Sequence, residues 1–255
     1  MTSTRSIDLN ADLGEHEGDG ARADAAMLDV VSSASIACGA HAGTRAVMEM
    51  TVKAAFERGV SIGAHPSYPD REGFGRREID ISNRDLIESV REQITQLHDA
   101  CTAAGARLAY VKPHGALYNK AARDRELARE LAACVKSINP ALAMLALSGS
   151  ALENESRAAG LAVAREAFID RAYVSDGTLV PRDRPGAVIN DASIASARAV
   201  EMARYGAIRS LDGKRVSVPA DSLCVHGDSK NAIEIVTAAR RRLEEVGFTI
   251  APFAT

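Results

Sequence analysis

No stretch of this chain approaches the ~18 consecutive apolar residues that a membrane-spanning helix requires, so no membrane partner is expected. A net charge of −3, and aromatics that make up only 4% of the residues, provide no basic stripe interleaved with stacking side chains. Nucleic acid is therefore not an expected partner either. The four cysteines, Cys38, Cys101, Cys134 and Cys224, form no C-x-x-C pair and no zinc-ribbon spacing. They read as small buried hydrophobes of a reducing compartment. Cys38 and Cys224 precede His41 and His226 closely, but no partner that would activate a thiolate is identifiable. G-x-x-x-x-G-K-[ST] is absent as well, so ATP, if it drives the reaction, is handled by another polypeptide. Met1 to Ser6 carries no apolar signal core, and the expected location is cytoplasmic.

What is present is the composition of a protein with a large core: 255 residues, 46% hydrophobic and 25% charged. No linker, low-complexity tract or repeat marks a boundary, and α/β barrels use about 250 residues as one unit. A single domain spanning 1–255 is expected. Short apolar runs recur at Ile7–Asn10, Ala34–Cys38, Val60–Ala64, Leu108–Lys112, Ala143–Leu147, Ala162–Phe168 and Ser222–Val225. Helical patterns lie between most of them. Ser82 precedes Leu86, Val90, Ile94, Leu97 and Cys101, spaced by three and four up to Gly105. Similar patterns run from Thr44 to Gly59, from Asp124 to Asn139-Pro140, from Asp191 to Gly206 and from Ser229 to Gly247. Strand and helix in alternation predict a parallel sheet covered by helices, the α/β class. Pro66–Arg77, rich in glycine, proline and charge, reads as a lid or binding loop. Asp212-Gly213 predicts a hairpin excursion near 208–218.

The polar residues at the strand exits carry the functional signal. Asp12, His41, His65, His114 and His226 each sit at or just past the C-terminal end of an apolar run. A β/α barrel gathers its site at that rim from residues far apart in sequence. Asp8-Leu-Asn-Ala-Asp12-Leu-Gly-Glu15 alone is equally a turn or cap, since Asp and Asn favour both. Four of the six histidines at equivalent exits are harder to assign to packing; His16 and His98 fall elsewhere and read as surface or helix residues. Lys112 stands beside His114, a pairing that would depress the lysine and keep the imidazole a neutral base. Arg165 and Glu166 interrupt an apolar strand, and Asp170 and Arg171 follow it; charges there must be paired or functional. Val225-His226-Gly-Asp228 ends the last strand, where Asp228 is either a helix cap or a site residue. Asp12, His41 and His65, with His114 as a further candidate, hold the ingredients of a divalent-metal site, although no H-x-x-x-H spacing supports it.

Together these segments resemble the LamB/YcsF family of lactam-utilisation proteins, whose members are also called the A subunits of 5-oxoprolinases. The resemblance runs from Ile7 to about Asp228 through the Asp8–Glu15 and Ile36–Gly43 motifs, His65–Arg77, Val111–Tyr118, Glu166–Tyr173, Asp176–Arg182 and Cys224–Asp228. It implies a seven-stranded variant of the β/α (TIM-like) barrel, similar to polysaccharide deacetylases. It further implies ATP-coupled hydrolysis of 5-oxo-L-proline to L-glutamate with B and C subunits, which would use the ATP. The catalytic candidates are Asp12, His41, His65, Lys112, His114, Glu166, Asp170 and His226; Asn10, Arg76, Arg182 and Asp228 are the substrate-binding candidates. Ser35, Ala40, Thr44 and His16 depart from the family's usual Asn, aromatic, Asp and Gly. Two other readings compete. One is an ATP-independent, metal-dependent deacetylase or amidohydrolase; the other is a non-catalytic lactam- or carbohydrate-binding protein.

Overall fold

The computed structural model describes residues 5–16, 18–227 and 231–255. In chain order the elements are β1 Arg5–Leu13, α1 Asp19–Leu28, β2 Ser33–Ala37, α2 Arg45–Glu57, β3 Ser61–His65, α3 Asn83–Ala103, β4 Leu108–Val111, α4 Gly115–Arg123 and α5 Arg125–Ile138. They continue with β5 Ala143–Leu147, α6 Ala151–Ala158, β6 Ala162–Phe168, α7 Ala192–Tyr205, β7 Ala207–Arg209, β8 Arg215–Ser217, β9 Ser222–His226, α8 Ala232–Glu245 and β10 Phe248–Ile250.

The caps expected from the sequence account for the long helices. Ser82 Oγ accepts from the Asp85 amide at 3.2 Å, and α3 then buries Leu86, Val90, Ile94, Leu97 and Cys101 along one face. Thr44 caps α2 through the Val47 amide, Asp124 caps α5, and Asp191 caps α7, which Gly206 ends in the left-handed conformation. Helices α1, α4 and α6 add to the expected set. Each is ten residues or fewer and carries too few apolar positions for a 3.6-residue period to stand out. The expected cap at Ser229 lies outside the described residues; α8 begins after Asn231, which is left-handed and makes no side-chain cap.

The strands close into a barrel. β1, β2, β3, β4, β5, β6 and β9 pair in that order, all parallel, and β9 returns to β1. This is the seven-stranded barrel that the family resemblance implies. β1 extends beyond β9 at its N-terminal end, and β10 pairs with Arg5–Ile7 there, covering an edge that would otherwise be open. The β7–β8 hairpin, antiparallel around Asp212-Gly213, stands outside the barrel. Apolar side chains from both strands and helices, running from Ile7 to Phe248, form the layer between barrel and helices. Among the described residues no helix is long and apolar enough to cross a membrane.

Strand alternation decides what fills the barrel. On β1 the apolar Leu9, Ala11 and Leu13 join the outer layer, whereas Asp8, Asn10 and Asp12 meet polar groups of other strands across the interior. Asp8 accepts from Ser32 and Ser33 at 2.6 and 2.7 Å and from Ser222. Asn10 donates to Ser222 at 2.7 Å. A polar column therefore rises along β1 to the strand exits, where the candidate site lies.

Candidate active site

Lys112 organises the upper part of that column. Its side chain is buried, with Nζ 2.7 Å from Asp12 Oδ1 and 2.7 Å from Glu166 Oε1. Asn10 Oδ1 and Cys224 Sγ complete its surroundings at 3.2 Å each. Burial by itself lowers a lysine, but Asp12, followed by Cys224 and Glu166, holds this one well above its ordinary value. The expectation that His114 would depress Lys112 is thus corrected: the ammonium meets carboxylates, and it is a fixed positive charge. Asp12 responds in kind. Burial raises it, while His65 and Lys112 pull it well below the carboxylate range. Glu166 also accepts from Tyr118 Oη at 2.7 Å, so both its oxygens are engaged inside the barrel. Arg165, next in sequence, faces the other way and pairs with Asp221.

Three imidazoles stand above Asp12. His65, the last residue of β3, places Nδ1 2.7 Å from the Lys112 carbonyl and Nε2 3.3 Å from Asp12 Oδ2. His114, just before α4, places Nδ1 3.0 Å from His65 Nε2 and Nε2 2.8 Å from the Phe74 carbonyl. His41 stacks on His114 at 3.8 Å with an interplanar angle of 2°. Its Nδ1 is 2.9 Å from Ser67 Oγ and its Nε2 3.2 Å from Glu15 Oε1. Burial, then the neighbouring His65, lowers His41 to about 3, and burial with His65 and His41 lowers His114 well below the ordinary range. Both rings are neutral at physiological pH.

The Pro66–Arg77 loop presses onto these rings. Phe74 has a positive φ of 55° and meets His41 and His114 edge-on at 5.5 and 5.6 Å. Gly75 follows with φ 62°, and a Cβ there would come within 2.9 Å of both His114 Cδ2 and His41 Cβ. Arg71 straps the loop down by donating to the carbonyls of Gly39 and Gly43. Such a strained, over-determined segment suits a functional contact better than a mere connection.

On the opposite side His226 ends β9, with Nδ1 2.9 Å from Asp170 Oδ2, which also accepts from the His226 backbone amide at 3.1 Å. Asp170 is raised by burial but lowered overall by His226, so it is a carboxylate. Phe168 stacks on the His226 ring at 5.2 Å.

A cavity of about 670 Å³ opens over this ensemble, lined by Asp12, His65, Lys112, His114 and His226, with Arg76 and Arg182 also in its lining. That size suits a small-molecule site. Seven of the twelve expected site residues thus share one cavity. Asn10, expected to bind substrate, instead lies beneath it, bridging Ser222 and Lys112. His41, Glu166 and Asp170 stand behind the lining and hold His114, Lys112 and His226 respectively. Asp228 lies outside the described residues. The expected metal candidates divide: Asp12, His65 and His114 group together, whereas His41 groups with Glu15 and His114. Sequence reasoning misses Glu15, Ser67 and Tyr118 as site residues. Glu15 has a signal, a second carboxylate just past the same strand exit; Ser67 and Tyr118 have none beyond position in their motifs. His16 and His98 are exposed, as expected.

A family model described as the LamB/YcsF family matches residues 7–255. A protein of Paracidovorax citrulli, named as the A subunit of 5-oxoprolinase, is 49% identical over 249 residues, covering 97% of this chain and 99% of its own. One of Heliobacterium modesticaldum with the same name is 49% identical over 245 residues, 96% of each chain. Among solved structures, the lactam utilization protein from Thermus thermophilus superposes with a TM-score of 0.89 at 43% identity, over 97% of this chain and 100% of its own. T48 deacetylase, at 14% identity and a TM-score of 0.50 over 98% of this chain and 88% of its own, shares the fold alone.

Proposed function

The chain belongs to the LamB/YcsF family, and on that premise we propose that it is the A component of an ATP-dependent 5-oxoprolinase, opening the lactam ring of 5-oxo-L-proline to L-glutamate. The observation that carries this reading is near-full-length identity of about half to relatives named as A subunits of 5-oxoprolinase. The whole chain, 1–255, acts as one barrel domain, and its buried free thiols suit the cytoplasm. The B and C subunits are its partners, and ATP is used on them, since this chain carries no P-loop. A five-membered lactam is a stabilised amide; phosphorylation of its oxygen by ATP activates the ring carbon, water adds there, the C–N bond breaks to leave an acyl phosphate, and a second water releases inorganic phosphate and L-glutamate.

The residues lining the cavity divide the work. Arg76 or Arg182 holds the substrate carboxylate by a bidentate contact. Asp12, His65 and His114 together hold and activate the attacking water at the floor of the cavity. Lys112, kept charged by Asp12 and Glu166, places a fixed positive charge under the carbonyl oxygen as it gains charge. His226, oriented by Asp170, delivers a proton to the departing ring nitrogen. His41, Glu166, Asp170 and Asn10 act through these groups as positioning residues.

The test is 5-oxoproline turnover with ATP and the B and C subunits. Asp12→Ala, His65→Ala and His114→Ala should each abolish glutamate release while circular dichroism stays that of the parent. Undiminished turnover in all three would end the assignment.

A further inference from the structure

The hydrogen bonds around His65 and His114 leave two lone pairs aimed at each other. A carbonyl oxygen only accepts, so the Lys112 carbonyl, 2.7 Å from His65 Nδ1, requires the proton of that ring on Nδ1. The Phe74 carbonyl, 2.8 Å from His114 Nε2, likewise requires the His114 proton on Nε2. The remaining nitrogens, His65 Nε2 and His114 Nδ1, are then left facing each other 3.0 Å apart. Asp12 Oδ2, an acceptor, is 3.3 Å from His65 Nε2. Three electron-rich atoms this close in a buried site repel unless something positive stands among them.

We propose that Asp12 Oδ2, His65 Nε2 and His114 Nδ1 are the protein ligands of one divalent transition-metal ion, with its open positions toward the cavity. The two spacings from His65 Nε2, 3.0 Å to His114 Nδ1 and 3.3 Å to Asp12 Oδ2, match the roughly 3.0–3.4 Å between ligand atoms about 2.1 Å from a tetrahedral or octahedral ion, and the three residues offer ligand atoms all within 4.8 Å of one another. The ring planes fit too, since His65 and His114 stand at 86° and their lone pairs can converge on one point. Backbone carbonyls that lock the distal ring nitrogens are the usual outer support of metal-binding histidines. Two imidazoles with one carboxylate favour zinc or manganese over magnesium. The neighbouring group of Glu15, His41 and His114 fits less well. His41 and His114 are parallel and 3.8 Å apart, so their in-plane lone pairs cannot meet at one ion. This site lies within the hydrolytic centre but stands on tautomers and spacing, and its occupancy is independent of which substrate is turned over.

The test uses chelator-treated full-length protein, without substrate or the other subunits, titrated calorimetrically with Zn²⁺, Mn²⁺ and Mg²⁺. One equivalent of Zn²⁺ and of Mn²⁺ should bind, with Mg²⁺ at least about tenfold weaker. His65→Asn and His114→Asn should each weaken binding about 100-fold or more, and His41→Asn less than about tenfold. If a variant fails to fold, histidine ¹⁵N spectra of the wild-type protein decide. Added Zn²⁺ should shift His65 Nε2 and His114 Nδ1 while their other nitrogens stay protonated. Absence of saturable binding, binding that survives both His→Asn changes, loss of binding in His41→Asn alone, or unmoved nitrogen resonances would each overturn the proposal. Binding without lactam turnover would sink the hydrolytic reading and leave this one standing; turnover without binding would do the reverse.

Discussion

Lys112 and Asp12, a hundred positions apart in the chain, meet inside the barrel with 2.7 Å between Nζ and Oδ1 and almost no access to water. The same ammonium holds Glu166, so one cation serves two buried carboxylates. Replacing it by the similarly long, apolar methionine leaves both without their counter-charge. Lys112→Met should lower unfolding free energy by about 3–5 kcal/mol, read from urea denaturation at pH 7. A midpoint within error of wild type would show that the pair contributes little.

At the floor of the barrel Asp8 behaves oppositely to Asp12. Burial, opposed by its serine hydrogen bonds, raises Asp8 from 3.8 to about 6. The folded chain therefore retains a proton that the unfolded chain has released, and this contribution is complete below pH 3.8 and lost as pH rises through about 6. It amounts to on the order of 3 kcal/mol. Asp12, held well below 3.8, contributes above that pH and is lost only as pH falls further. Melting temperatures of Asp8→Asn and wild type, compared between pH 4 and 7.5, should diverge in favour of the variant as pH rises. A constant difference would contradict the raised value.

Gly75 tests the loop that covers the histidines. Alanine there must adopt φ near 62° and accommodate contacts of 2.9 Å with His41 and His114. The left-handed backbone alone costs about 1–2 kcal/mol. Gly75→Ala should therefore lose stability by that order and lose kcat disproportionately, because the displaced ring is the one that lines the cavity. Turnover unchanged at full folding would separate the loop from the chemistry.

His226 depends on Asp170 for both its ring and its backbone amide. Asp170→Asn keeps the shape but removes the charge that orients the His226 ring. Turnover by the complete complex should fall about 100-fold or more with KM little changed. A change confined to KM would reassign the pair to substrate binding.

Much of this arrangement is legible in the sequence because strands announce their ends. Ala143–Leu147 and Ala162–Phe168 are found as expected, and the exits that place His65, His114 and His226 follow from runs of apolar residues ended by glycine, proline or charge. Short elements are less legible: α6 has eight residues and β10 three, each stabilised by packing rather than by local pattern. Within the site, residue type and location along the strands are visible, but pairing is not. His41 and His65 look alike in sequence, both flanked by glycine and alanine, yet one ring meets Glu15 and the other Asp12. That difference arises from how β2 pairs with β1, how β3 pairs with β2 and β4, and from the loop above them, which are long-range facts. Nor does Lys112 beside His114 in sequence reveal that its ammonium reaches back to β1.

The first strand is also the last to be finished. β1 finds one neighbour early, in β2, but its other side waits for β9 and β10, separated from it by more than two hundred positions. While the chain is being synthesised, the edge carrying Asp8, Asn10 and Asp12 stays without its partner strand until residues beyond 222 have emerged. Ring closure of so distant a pair is slow by its nature, and an unpaired parallel edge invites association with other nascent chains. Productive folding of this barrel is thus a race between its C-terminal end and its neighbours on the polysome.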